Sequence, residues 1–240
     1  ADPALHRLFV VLDGPPDPDT LLALERLRTA GLPVATLSHE QPLGFVASVN
    51  RGMAASDRDV VLLNSDTQVT RGWLTKLQAA AYADPLTATV TPFSNNATIC
   101  SLPQFPHENC VPAGWTVDAL AALVERVSAR SYPTLPTGVG VCLFIKREVL
   151  EAVGLFDDAF GLGYGEEVDF CLRASARGFH HVLDDATFIF HEGSRTFGTS
   201  RRARVRRATR LINARHPHYQ RQGHDFITRD PLAAARTRVT

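Results

Sequence analysis

Short apolar runs alternate with amphipathic stretches along most of this chain. Leu8–Leu12 (LFVVL) and Val60–Leu63 (VVLL) carry no polar break, which predicts strands buried on both faces of a sheet. Asp19–Ala30 sets Leu21, Leu22, Leu24 and Leu27 on one helical face and stops at Gly31. Pro33–Leu37 reads as a short strand, and Phe45–Ala55 as a helix entered through Gly44. Strand, helix, strand, helix, strand in this order is the rhythm of βαβ units around a parallel sheet.

The pattern continues with a helix over Gly72–Ala83 and a strand over Thr87–Thr91. A helix follows over Val117–Arg130, capped by Thr116, then a strand over Gly138–Ile145 and a helix over Arg147–Val153. The stretch from Phe93 to Pro112 has no period, several prolines and an Asn95-Asn96 pair. Loops of that length are usually functional or disordered. His180 and His181 read as surface residues ahead of a strand over Thr187–Phe190. Ser200–Ala214 reads as a basic helix with a narrow stripe of Val205, Ala208, Leu211 and Ile212, and 216–240 as an irregular tail with a terminal helix.

Composition narrows the class. With 240 residues, 45% of them hydrophobic, the chain can bury the core of one large domain or of a domain plus an extension. Lys+Arg and Asp+Glu balance at 25 each, so no global field argues for nucleic acid. Cys100, Cys110, Cys142 and Cys171 form no CxxC pair, which argues against a zinc or redox motif and fits reduced thiols in a cytosolic protein. No apolar run approaches the ~20 residues that span a bilayer. The first residues hold no signal-peptide core and no Met, so we expect a piece of a longer chain with further domains.

Three places carry candidate chemistry. Asn64-Ser65-Asp66 follows a buried strand, where open α/β sheets bind ligands. A carboxylate there can hold a divalent cation against a phosphate, or the triplet is a plain turn with Asp66 capping the next helix. Glu166-Glu167-Val168-Asp169 sits at a helix start behind Gly161, Gly163 and Gly165. The acids either complement the helix dipole or crowd one another, raising a pKa as a general base requires. His191 ends a strand, as a metal ligand or a structural histidine. The basic helix around Arg201–Arg210 packs on the domain, or contacts anionic lipid, as at the inner face of a membrane, or a polyanionic acceptor.

Together LLNSDTQVTRGWL (Leu62–Leu74), GVGVCLFIKREVLEAVGLFDDAFGLGYGEEVDFCLRASARGF (Gly138–Phe179) and HEGSRTFG (His191–Gly198) resemble the inverting family-2 glycosyltransferases of GT-A fold, with the nearest look to bacterial rhamnosyltransferase-like enzymes of cell-surface polysaccharide synthesis. The resemblance implies a three-layer α/β/α domain with a mainly parallel central sheet over 1–198, and a basic helical extension over 199–240. It implies a nucleotide-diphospho-sugar donor, a glycan or lipid-linked glycan acceptor, and Mg²⁺ or Mn²⁺ held by Asp66 and His191. It further implies Glu167 as catalytic base beside Glu166, Asp169 paired with Arg173 as a brace, and Asp13, Asn50, Asn64 and Arg195 as contacts to the nucleotide-sugar. Asn64 stands where the family's motif has an acid, Glu167 where it has Asp, and the family's first strand has no counterpart before Leu8. A non-catalytic nucleotide- or carbohydrate-binding module of a larger synthase is the alternative that the missing first strand and Asn64 favour and that Glu167, Asp169 and His191 oppose.

Overall fold

A computed structural model describes residues 2–105, 107–193 and 200–239. The first half follows the predicted element order, β1 (Leu8–Asp13), α1 (Pro18–Thr29), β2 (Val34–His39), α2 (Phe45–Ala54) and β3 (Val60–Leu63). But β1 and β3 are not buried on both faces as their apolar runs suggested: both are half-exposed, because neither strand lies at the centre of a sheet. A two-residue strand, β4 (Thr67–Gln68), comes next, then α3 (Trp73–Ala81) and β5 (Thr87–Ser94). The second half contains α4 (Val117–Val127), β6 (Thr134–Leu135), β7 (Cys142–Ile145), α5 (Arg147–Val153), α6 (Glu166–Ser175) and β8 (His180–His191). Three helices close the chain: α7 (Ser200–Arg215), α8 (Tyr219–Arg229) and α9 (Ala233–Thr237).

β1 and β2 form a parallel pair of their own. The main sheet runs β3-β7-β5-β8-β4, with β6 added to β8. It is mixed: β7 is antiparallel to both β3 and β5, and β5 is parallel to β8. So β3, β5 and β8 share one direction, and their carboxyl ends line one edge together with the start of β7. Among the described residues β1 pairs only with β2, outside the main sheet. β5 is central, with all eight residues buried.

β8 corrects the sequence reading at two histidines. The strand begins at His180, and His181 is only 1% exposed. Its ring lies 2.8 Å from Thr89 Oγ1 and 3.0 Å from the Cys171 carbonyl oxygen, and burial pushes its pKa down to about 4. His180, His181, Asp184 and Asp185 hide the strand from a hydropathy pattern, because partners that only the folded chain supplies, Thr89 and Cys171 for His181, stand in for water.

The tail is likewise more ordered than its composition suggests. Ala208 and Ile212 of α7 join the core built by Ile145, Val149, Phe156 and Phe170. Leu232 and Ala235, at α9, join a second core with Phe93, Cys100, Leu102 and Val124. This last contact braces the 95–116 loop from behind. Among the described residues no helix is long and apolar enough to cross a membrane.

Candidate active site

The carboxyl edge of the main sheet gathers three of the predicted segments. The Asn64 amide donates to the Val141 carbonyl (3.1 Å), and Thr67 Oγ1 donates to the Asn64 carbonyl (2.7 Å). These bonds lead the chain across the strand ends from β3 to β4, where Thr67 pairs with His191. Asp66 therefore caps no helix. The first amides of α3, at Leu74 and Thr75, are held instead by the Asp2 carboxylate at 3.2 and 3.4 Å.

Asp66 Oδ2 lies 3.2 Å from His191 Nε2, with side chains 36% and 12% exposed. The opposite ring nitrogen, Nδ1, lies 2.7 Å from the Asn96 carbonyl oxygen. A carbonyl only accepts, so Nδ1 carries the proton. In the neutral ring Nε2 then turns its lone pair toward a carboxylate oxygen. Two electron-pair donors at this distance require a proton or a cation between them. Two adjacent ligands of an octahedral ion at about 2.1 Å stand about 3.0 Å apart, so the pair fits a divalent cation. The backing of Nδ1 by a main-chain carbonyl is how metal-binding histidines are usually oriented. Among the described residues no group of three or more His, Cys, Asp or Glu side chains gathers. An ion held here would take its other ligands from water and phosphate oxygens, as Mg²⁺ commonly does.

His191 is fixed further by a residue the sequence reading left inside an irregular loop. Asn95, 6% exposed, accepts from the His191 amide (2.7 Å) and donates to the His191 carbonyl (2.9 Å). The only sequence signal was the Asn95-Asn96 doublet. Gly193 adds to the constraint. Its φ is +81°, and a Cβ there would come 2.5 Å from Asn96 Nδ2.

Glu166 and Glu167 open α6 behind Gly165. Burial, then the neighbouring carboxylate of Glu167, pushes Glu166 up to about 8; burial raises Glu167 as well. The Oε2 atoms of both are buried without a hydrogen-bond partner. Buried polar atoms of that kind are costly and mark sites where a ligand group or a proton is to be received. Glu167 lies against Gly140, where an added Cβ would stand 3.6 Å from its carboxyl group. Gly140 precedes Val141, the residue bonded to Asn64, so the acids and the Asn64–Asp66 segment share one loop.

Asp169 is 1% exposed and fully engaged. Its Oδ2 accepts from Arg173 Nε (2.7 Å), and its Oδ1 from Arg215 Nη1 (3.2 Å) and His216 Nε2 (3.0 Å). Burial works to raise its pKa, but the bonds from His216, Arg173 and Arg215 hold it below the usual carboxylate range. The expected i,i+4 pair is present, and the α7 end adds two partners that no local pattern could announce.

Two other predicted residues spend their polar atoms on the fold. Asp13 accepts from the amides of Leu43 (2.7 Å) and Gly44 (2.9 Å), fixing the entry to α2. Asn50 donates to the Phe156 carbonyl (2.8 Å) and accepts from its amide (3.0 Å), tying α2 to the loop before α6. Asn64 is half-buried at the strand end, and Arg195 lies outside the described residues.

The mixed sheet between helices is that of the GT-A glycosyltransferase fold, as the family match and the solved structures below show. The chain belongs to glycosyl transferase family 2, whose model matches residues 2–154. Two solved structures share its fold. The crystal structure of GalNAc-T7 with UDP, GalNAc and Mn²⁺ superposes with a TM-score of 0.61 at 14% identity, over 87% of this chain and 42% of that one. Mannosyltransferase PcManGT from Pyrobaculum calidifontis, in complex with GDP-Man and Mn²⁺, gives 0.55 at 18% identity, over 82% and 51%. An uncharacterized protein, y4gI of Sinorhizobium fredii (strain NBRC 101917 / NGR234), is 23% identical over 97% of this chain. The chain spans 28% of that relative's length.

Proposed function

We propose that this chain transfers a sugar from a nucleotide-diphospho-sugar to a hydroxyl acceptor, with inversion at the anomeric carbon. The observation that carries the reading is the facing pair of Asp66 Oδ2 and His191 Nε2, 3.2 Å apart at the strand ends, with Glu167 against Gly140 in the loop whose Val141 holds Asn64. Family membership and the nucleotide and Mn²⁺ complexes of the two structural neighbours support it.

In this reading Asp66 and His191 hold Mg²⁺ or Mn²⁺, which supplies charge neutralisation at the diphosphate. Glu167 accepts the proton of the acceptor hydroxyl. The oxygen bonds to the anomeric carbon as the bond to the diphosphate oxygen breaks, and the nucleoside diphosphate leaves from the opposite face. Burial raises Glu167 and so strengthens it as a base, and the Glu167 carboxylate in turn helps burial to raise Glu166. Asp169, tied to Arg173, Arg215 and His216, positions α6. Asn64 meets a sugar or ribose hydroxyl, and Asp13 and Asn50 shape the nucleotide side through the loops they fix. The resemblance to rhamnosyltransferase-like enzymes is what supports a hexose or deoxyhexose donor and a bacterial cell-surface polysaccharide product, and the basic helix around Arg201–Arg210 is what supports work at the inner face of the cell membrane.

Calorimetric titration of UDP, GDP and dTDP, with and without Mn²⁺, tests the site. Metal-dependent binding that disappears in Asp66→Ala is expected. If no nucleotide binds at any metal concentration, the proposal fails.

A further inference from the structure

We infer that the cavity beside His191 is the acceptor subsite, that it takes the terminal sugar of an uncharged glycan, and that Trp115 is its stacking platform. This rests on the transferase reading and names the substrate class at its second site. The cavity holds about 670 Å³, within the roughly 300–1,000 Å³ of small-ligand sites. Asn96, Glu108, Asn109, Trp115, Phe190 and Glu192 are among its walls.

Its chemistry selects the ligand. No Lys, Arg or His lines it among the described residues, so it offers no countercharge to a diphosphate, a phospholipid headgroup or a nucleic acid. It does offer a flat apolar face, the Asn96 amide and the Glu108 carboxylate. Trp115 is 45% exposed, an unusual position for the largest side chain. A pyranose matches this pairing: one face carries C–H bonds that pack on an indole, and the rim carries hydroxyls that pair with amides and carboxylates.

The wall is built in advance. Asn109 Nδ2 lies within hydrogen-bond distance of three carbonyl oxygens, those of Gln104 (2.7 Å), His107 (2.9 Å) and Asn95 (3.1 Å), and its two N–H groups shared among them hold the loop in one shape. Thr116, next to Trp115, caps α4 through the Ala119 amide (3.1 Å). The cavity also touches the proposed chemistry. The Asn96 carbonyl holds His191 Nδ1, and the Glu192 amide donates to the Asp66 carbonyl (2.9 Å). Asp13, on the nucleotide side, belongs to the separate β1–β2 pair, whereas this cavity lies against β8.

The test is saturation-transfer NMR of the whole chain with methyl glycosides of glucose, galactose, mannose and rhamnose. It is run with and without Mn²⁺ and saturating UDP, GDP or dTDP. At least one glycoside should bind through its C–H face. Trp115→Ala should weaken it by about tenfold or more, Trp115→Phe should keep it, and nucleotide titrations should be the same in all three proteins. Equal sugar binding by Trp115→Ala overturns the inference, as does nucleotide binding with no glycoside contact. Loss of nucleotide affinity in Trp115→Ala also overturns it, because the cavity then belongs to the donor. Absence of nucleotide binding in the unmodified chain counts against the transferase reading alone, since the sugar arm without nucleotide still reports on the cavity.

Discussion

Asn95 grips the main chain of His191 from both sides, accepting from its amide at 2.7 Å and donating to its carbonyl at 2.9 Å. The side chain thus fixes where the imidazole stands through the main chain of His191 alone. Asn95→Ala should leave Asp66 and His191 in place as groups but loosen their spacing. Mn²⁺ affinity, read by electron paramagnetic resonance in the presence of UDP or GDP, is expected to fall about 10–100-fold, the usual cost of losing such support. Asn95→Asp should restore part of it by still accepting from the amide. Unchanged affinity in the alanine variant would show that the loop does not position the histidine.

Glu167→Gln should abolish transfer while nucleotide and Mn²⁺ still bind. In the unmodified protein the rate should climb with pH, because the base must be ionised and burial has raised the pair, Glu166 to about 8. A rate already flat from pH 5 upward would place the base elsewhere.

The same pair predicts the pH dependence of stability. A carboxyl raised in the folded state favours folding most below its unfolded value, and that contribution is lost as pH rises toward the folded value, here about 8 for Glu166. Glu166→Gln should therefore flatten the loss of stability between about pH 4.5 and pH 8, measured by urea midpoints.

Asp169 predicts the opposite sign. Its lowered pKa adds stability above the unfolded carboxylate value of about 3.9, and the gain vanishes as pH falls through the folded value. Asp169→Asn should cost about 3 kcal/mol near neutrality, the low end for breaking a buried ion pair, because Arg173, Arg215 and His216 reach solvent. The deficit should shrink in acid. A variant as stable as the parent at pH 7 would mean that α7 is not anchored through this carboxylate.

Gly165 gives a packing prediction. It precedes α6 at φ +87°, and a Cβ would lie 3.2 Å from both Ala208 Cβ and Phe160 Cε1. Gly165→Ala should destabilise by about 1–2 kcal/mol from backbone strain alone, and more if α7 is displaced, as thermal melts would show.

Much of this molecule was legible from one dimension. Apolar runs such as Val60–Leu63 and the stops at Gly31 and Gly154 set the βαβ order, because strand and helix periods are local properties. The order of Asn64–Asp66, Glu166-Glu167 and His191 carried the family, since short motifs at strand ends and helix starts survive as sequence. What depended on partners far along the chain did not. His181 and the polar start of β8 read as surface because their satisfaction comes from Thr89 and Cys171. The tail read as irregular because its order comes from Asp169 and from the core around Phe93, not from its own propensity. Asn95 read as loop because a side-chain amide gains a role only when folding brings a backbone to it, 96 residues away. Periodicity specifies elements, while the pairing of buried polar groups is decided by contacts that exist only in the folded chain.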